Sequence, residues 1–396
     1  MSTRPVPAGK WLPAPDVPGV PEERRREGAH LPRPLPSDLD LPAATYRLAA
    51  ETEHVLGRLD EAASRFAPGR ALVRATQLRD AHASLSLAGS DLGLIEALAS
   101  DLLASQQEQT SARTGHANLL KPHVDACEHG LAHVRKGWPV GIDVVAQMCG
   151  IATGRPGAGR AELLREGVGW LGRDPADAYL LTPPGAHLVA GLEQWSISAR
   201  DATDQPRIVK LALLHYQLEV LQPFPTANGY VARRYSMLGL VECGLLRDQY
   251  LPLSVALDDG LDEYRRQVRA MVDTRLPHRW VEFYAEGVRD QACSQLALVT
   301  SLARKREEFA ELLRQGGVVA KVAADLTALP VVNNRAIQER YGVTKKFATL
   351  VTRRLVDVGI LSSWESRDYS RVFVCYPVLD LLTMHAAAHA QPDRLT

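Results

Sequence analysis

One stretch limits what this chain can fold into more than any other: residues 211–238, LALLHYQLEVLQPFPTANGYVARRYSML. Leu211, Leu214, Leu218 and Leu221 recur at helical spacing and mark a buried face. Gln222-Pro223 ends that helix, because proline disfavours the helical conformation in the residue before it. Pro225 and the pair Asn228-Gly229 hold a loop. The helical pattern resumes with Val231, Tyr235, Leu238 and Leu240. A tight loop opening a helix aims backbone N–H groups outward along the helix start. That arrangement suits an anion, phosphate above all.

The same residues carry a resemblance. HYQLEVLQPFPTANGYVARR resembles the signature of the Fic (Fido) proteins, H-P-F-x-[DE]-G-N-G-R-x-x-R, preceded by a helix of the H-x-x-F-E-x-I type. Members typically transfer AMP from ATP to a protein hydroxyl. By this resemblance the general-base His falls on Gln222, the acidic Mg²⁺ ligand on Thr226 and the first loop Gly on Ala227. The first Arg falls on Tyr230. Pro223, Phe224, Asn228, Gly229 and Arg233 are kept, as are the upstream His215 and Glu219, with Leu218 at the aromatic position. The resemblance implies a mainly α fold: a Fic-type helical core, a small β-hairpin flap and a C-terminal winged-helix domain. It also implies ATP or another nucleotide as ligand, and members often dimerise.

The departures bear on chemistry. A general base takes a proton from the attacking hydroxyl, and imidazole suits neutral pH. Gln222 cannot do so, and losing such a base costs ~10²–10⁴ in rate. Thr226 is a neutral stand-in for the carboxylate that anchors Mg²⁺. Tyr230 offers one hydrogen bond where a guanidinium fork would grip phosphate. The expected binding set is therefore Pro223, Phe224, Thr226, Asn228, Gly229, Tyr230 and Arg233, with Gln222 at the catalytic position and no ordinary AMP transfer.

The chain has 396 residues, enough for two or three domains, and is 46% hydrophobic. Its 46 basic and 46 acidic residues balance, so any pull toward nucleic acid or an anionic membrane is local. Cys127, Cys149, Cys243, Cys293 and Cys375 are odd in number and form no CxxC pair, which fits reduced thiols and a cytoplasmic setting. No apolar run reaches the ~18 residues of a membrane span, and no signal peptide is expected.

The chain divides into a proline-rich leader (1–41), an N-terminal helical region (42–110), a Fic-like core (111–300) and a linker helix with a winged-helix domain (301–396). The leader reads as loosely ordered, pinned by anchors such as Trp11. Ala44, Leu48, Leu56, Leu59 and Ala62 mark a first amphipathic helix. In 83–98, ASLSLAGSDLGLIEAL, the residues Ser84, Ala88 and Gly89 match the inhibitory helix S-x-x-x-E-[GN]. The inhibitory Glu falls on Ala88, and its partner by resemblance is Arg233. His116, His123, His129 and His133 read as a polar helix face rather than a metal site. A helix is expected over 139–149. REGVGWLG (165–172) and the stretch 179–184 resemble the family hairpin whose open edge positions a protein target by strand addition.

Beyond the loop, 261–274 and 278–314 read as helices. Asn333 caps a helix over 335–341. KKFATLVTRRLVDVG (345–359) is amphipathic, with Phe347, Leu350, Val351, Leu355 and Val358 expected inward. Strands follow at 363–365 and 371–376, completing the winged-helix pattern. Lys345, Lys346, Arg353, Arg354, Arg367 and Arg371 are the charges available for DNA phosphates. Three readings follow: a phosphate- or nucleotide-binding protein impaired in AMP transfer, a divergent transferase without a His base, and a DNA-binding regulator.

Overall fold

The computed structural model describes residues 9–14, 17–34, 39–66, 69–104, 119–201, 203–257, 261–314, 316–364 and 372–387. His116, Arg367 and Arg371 lie outside them. In chain order the elements are β1 (Lys10–Leu12), α1 (Glu22–Glu27), β2 (Ala29–Leu31), α2 (Ala43–Arg65), α3 (Gly69–Leu87), α4 (Leu94–Ala104), α5 (Leu120–Arg135), α6 (Ile142–Ala152), α7 (Arg160–Leu163), β3 (Gly169–Leu171), β4 (Leu180–Thr182) and α8 (Gly185–Arg200). They continue with α9 (Arg207–Leu221), α10 (Asn228–Glu242), α11 (Leu261–Thr274), α12 (Pro277–Leu313), α13 (Val318–Leu326), β5 (Val331–Val332), α14 (Asn334–Tyr341), α15 (Lys345–Asp357), β6 (Ser362–Trp364), β7 (Val372–Val374) and α16 (Tyr376–Ala387). The protein is mainly helical with small sheets. None of its described helices is long and apolar enough to cross a membrane.

The chain forms two compact units, each built from separated stretches. The first comprises 1–56, 125–246 and 260–289. At its centre α9 is buried on every side from Leu211 to Leu221, not on one face as the leucine spacing suggested. Such a helix is a core rod. Leu214, Leu218, Leu221, Val231, Tyr235 and Leu238 share one apolar cluster with Trp195, Met148 and Leu131. The Trp195 and Trp280 indoles donate to the Leu214 and Ala212 carbonyls, at 3.0 and 2.6 Å, so both large rings have satisfied polar ends.

The leader departs from the expected loose segment. β1 and β2 pair antiparallel, Trp11 opposite His30, and β2 pairs parallel to β4 at Ala29–Leu181. With the antiparallel β3–β4 pair this gives a four-stranded sheet in the order β1-β2-β4-β3. Buried Val20 and Ala29 pack with Leu181, and the leader's Glu27 forms an ion pair with Arg269 at 2.9 Å. Apolar burial and a charge pair fix a segment whose proline content alone suggested little order. The 179–184 edge is therefore not open: the leader's own strand occupies it.

The second unit comprises 57–124, 247–259 and 290–396. Its inhibitory-helix-like string is not one helix. Ser84 is buried near the end of α3, whereas Ala88 and Gly89 form a turn, Gly89 at φ 91°. Farther along, α13, β5, α14, α15 and the β6–β7 hairpin follow in order, and β5-β7-β6 form a sheet. The Asn333 side chain caps α14 at Ala336 N–H (2.8 Å), and Thr344 caps α15 at Phe347 N–H (3.3 Å). One face is rotated from expectation. Ala348, Val351, Thr352 and Leu355 are the buried side of α15, whereas Phe347 and Leu350 are 42% and 53% exposed. Reading those two as core counted them with Val351 and Leu355, but they lie outside the arc that those residues define at 100° per residue.

Candidate functional site

Two left-handed residues shape the loop between α9 and α10. Gln222 ends α9 at φ 45°, ψ 62°, and Ala227 precedes α10 at φ 64°, ψ 15°. Neither is glycine, so each Cβ sits in a region costing L-residues roughly 1–2 kcal/mol. Asn228 holds the shape between them. Its Oδ1 accepts from Phe224 N–H at 2.8 Å and its Nδ2 donates to Phe224 O at 2.7 Å. The Asn228 side chain is thus a loop clamp rather than a group turned toward a ligand. Phe224 is 1% exposed and lies in the apolar cluster. Pro223 is buried, while Pro225 and Thr226 are exposed.

Tyr230 also faces inward. It is buried, and the Arg234 guanidinium lies over its ring at 5.1 Å. Ala227, Asn228 and Gly229 at the start of α10 are half-buried. Ala227 supplies no side-chain cap, and its carbonyl accepts the helical bond from Val231 N–H at 3.0 Å. Arg233 stands beside these amides: a Cβ on Gly229 would meet its Nη1 at 3.1 Å. A helix start with a guanidinium one turn on is an anion-binding arrangement.

Behind the loop lies a buried polar line. His215 Nδ1 is 2.8 Å from Ser236 Oγ and its Nε2 is 2.8 Å from Tyr264 Oη. The His215 ring stacks near Trp280 at 6.0 Å. Burial, with the Arg233 charge adding to it, lowers the His215 pKa to about 3, so the ring is neutral and structural. Glu219 is the opposite case. Burial raises its pKa to about 7, partly offset by the Arg233 charge and by Tyr264. Gln222 Nε2 donates to Glu219 O at 2.9 Å and approaches Oε1 at 3.4 Å. The Gln222 amide is therefore a donor tied to the preceding turn. Oε2 of Glu219 has no hydrogen-bond partner among the described residues.

Sequence reasoning missed Arg165. Its guanidinium donates to Leu221 O at 2.8 Å, to Gln222 O, to Gly167 O, and to Thr182 Oγ1 at 2.7 Å. Its own N–H donates to Pro223 O at 3.0 Å. One cation satisfies the last carbonyls of α9 and ties the loop to β4. Burial lowers its pKa to about 10, which leaves it charged at neutral pH. No spacing marked it, because the string REGVGWLG reads as strand and turn. Tyr264, within the helix expected over 261–274, is the neighbour of both His215 and Glu219.

Other residues from the sequence reading take ordinary places. His129 Nε2 lies 2.8 Å from Gln147 Oε1, and His133 Nε2 lies 3.0 Å from Pro139 O. Among the described residues no group of three or more His, Cys, Asp or Glu could hold a metal ion. Lys345, Lys346, Arg353 and Arg354 are exposed on α15. Ser84, Ala88 and Gly89 belong to the second unit and the loop to the first.

No family model matches the sequence. Several solved structures are similar to this chain at low identity. A Fic family protein from Desulfovibrio desulfuricans G20 superposes with a TM-score of 0.54 at 15% identity, covering 85% of this chain and 97% of that one. A Fic domain containing signaling protein from Bacteroides thetaiotaomicron gives 0.45 at 13%, covering 63% of this chain and 97% of that one. Fic-1 from C. elegans gives 0.46 at 15%, covering 64% and 74%. The first match, over nearly the whole of its length, carries the assignment: this chain has the fold of the Fic proteins.

Proposed function

We propose that the loop between α9 and α10 holds a phosphate-bearing ligand, a nucleotide in the first instance, and does not support ordinary AMP transfer. The observation that carries this reading is the α10 start, whose N-cap has no side chain to cap it, with Arg233 beside Gly229. The loop is held in that shape by Asn228 and Arg165. Against transfer stand Gln222, whose amide donates to Glu219 rather than accepting a proton, and Thr226, a neutral residue where Mg²⁺ would need a carboxylate. The protein is then a binding or regulatory relative of AMP-transferring enzymes. Calorimetry with ATP, GTP, CTP and UTP, with and without Mg²⁺, tests this on the full chain and on Arg233→Ala. Binding that disappears in the variant supports the reading. No heat from any nucleotide removes it. Intact-mass analysis of candidate targets, with Gln222→His as the rescue variant, separates silent binding from divergent transfer.

A second reading concerns the second unit. The order helix, strand, helix, helix, hairpin from α13 to β7 supports reading it as a winged helix, in which α15 would be the DNA-reading helix. Lys345, Lys346, Arg353 and Arg354 are exposed there and form no ion pair with a described residue. Exposed Phe347 and Leu350 in their midst fit base edges poorly. Duplex binding that weakens steeply with salt, and weakens further in Lys346→Ala/Arg353→Ala, would favour this reading. Duplex binding indifferent to both would remove it.

A further inference from the structure

A short hairpin of the leader lies across the first unit, and its attachment depends on the charge of one histidine. β2 meets β4 in parallel at Ala29–Leu181, and parallel pairing is the weaker kind. Val20 and Ala29 join Ala178 and Leu181 in a small apolar cluster. Arg269 of α11 forks onto the Glu27 carboxylate at 2.9 and 3.0 Å and reaches Tyr179 O, just before β4, at 3.1 Å. Gln217 of α9 donates to Arg33 O at 3.0 Å. Leu31 packs beside α8: a Cβ on Gly191 would meet Leu31 Cδ1 at 3.2 Å and Leu221 Cδ2 at 2.7 Å. Farther along, Leu39 O accepts from Tyr46 Oη at 3.0 Å and from Gln205 Nε2 at 2.7 Å, which anchors the chain before α2. Among the described strands β1 pairs with β2 alone, so the two can leave β4 together.

His30 sits at the centre of this attachment. It lies on β2 opposite Trp11, whose ring is 4.9 Å away, and it is 4% exposed. A Cβ on Gly9 would come within 2.8 Å of its Nε2, so the chain entering β1 closes over the ring. Its Nδ1 is buried and has no hydrogen-bond partner among the described residues. A doubly protonated ring would therefore place a cationic N–H in the interior with no acceptor, a costly state. The charges that act on the ring both come from α11: Arg269, which opposes a second proton, and Asp273, which favours one less strongly. β1, β4, α8 and α9, which also touch β2, add no charge that moves it among the described residues.

We propose that the β1–β2 hairpin of the leader is an acid-released strap, docked on β4 while His30 is neutral and peeled from it when His30 takes a second proton. Release uncovers the backbone edge of β4 and the flank of Leu221, the last residue of α9 before Gln222. Burial, with Arg269 adding to it, holds the docked ring at a pKa of about 4, against 6.5 for a solvated imidazole. Its contribution to docking is fully present above about pH 6.5 and is lost as pH falls toward about 4. Docking is then about thirtyfold weaker at pH 5 than at pH 7.5. The strap goes beyond the nucleotide reading of the loop and does not depend on it.

Hydrogen–deuterium exchange of the full chain, followed by mass spectrometry at pH 7.5, 6 and 5 and corrected for the intrinsic pH dependence of exchange, tests this. Peptides that cover β1 and β2 are expected to exchange about thirtyfold faster at pH 5 than at pH 7.5, while peptides of α10 stay protected. His30→Phe and His30→Gln have no ring that titrates and should lose the acid gain. A gain of less than about threefold in the native protein overturns the proposal. So does a full gain that persists in His30→Phe or His30→Gln. So does α10 exchange that rises in step with the leader, which would mean that the whole unit unfolds in acid.

Discussion

The two ends of α6 treat their polar groups in opposite ways. At the loop, side chains satisfy one another: Asn228 with Phe224, Gln222 with Glu219, Arg165 with Leu221 and Gln222. What remains outward is backbone. At the other end, where Gly141 begins α6 near Ser196, no side chain caps the helix and the Ser196 hydroxyl has no hydrogen-bond partner among the described residues. A site whose polar side chains bond internally has a fixed shape and resists mutation poorly. A buried group without a partner adds nothing to stability, so removing it costs the fold nothing.

The contrast can be tested from its largest expected effect downward. Glu219 comes first. Its folded pKa of about 7 stands above the ordinary 4.5, so the unfolded chain ionises earlier as pH rises. Its contribution is fully present below about pH 4.5 and is lost as pH rises through about 7. Glu219→Gln should therefore gain on the native protein across that window, reaching about 3 kcal/mol by pH 8. His30 and His215, held neutral with pKa values of about 4 and about 3, slope the other way below their ordinary value of 6.5. The variant-minus-native difference in urea unfolding isolates Glu219 from them, and a flat difference would mean that its carboxyl is solvated.

Asn228→Ala removes both bonds to Phe224 and strands that residue's N–H and C=O, an expected loss of about 2 kcal/mol in the same assay. A smaller loss would show that water replaces the clamp. Ala227→Gly should gain about 1 kcal/mol, because glycine adopts φ 64° without the Cβ clash. Ser196→Ala should gain about 1 kcal/mol, since it removes a buried hydroxyl that has no hydrogen-bond partner among the described residues. A loss as large as that of Asn228→Ala would erase the distinction between the two ends of α6.

The sequence made much of this legible. Leucine spacing, Pro223 and Asn228-Gly229 marked the two helices and the loop, and Asn333 marked the cap of α14. Local signals suffice where proline, Asx and periodicity act over a few residues. Three things were hidden because long-range packing decides them. The leader's strands depend on partners far along the chain. The clamp by Arg165 joins residues that no periodicity links. Phe347 and Leu350 looked like core because hydrophobic identity does not say which of two adjacent helical arcs faces inward.

The pairing of β2 with β4 also governs the order in which this protein can mature. Ala29 finds Leu181 only after the helices α2 to α7 have been made, and the same unit takes its last stretch from residues 260–289. A chain leaving the ribosome must keep an early strand unpaired through most of its synthesis. Closing so long a loop is entropically costly before any contact rewards it, and long sequence separation slows folding. The β1–β2 hairpin, which pairs locally from Lys10 to Leu31, gives that waiting strand a partner on one side. It halves the edge exposed to neighbouring nascent chains until β4 emerges.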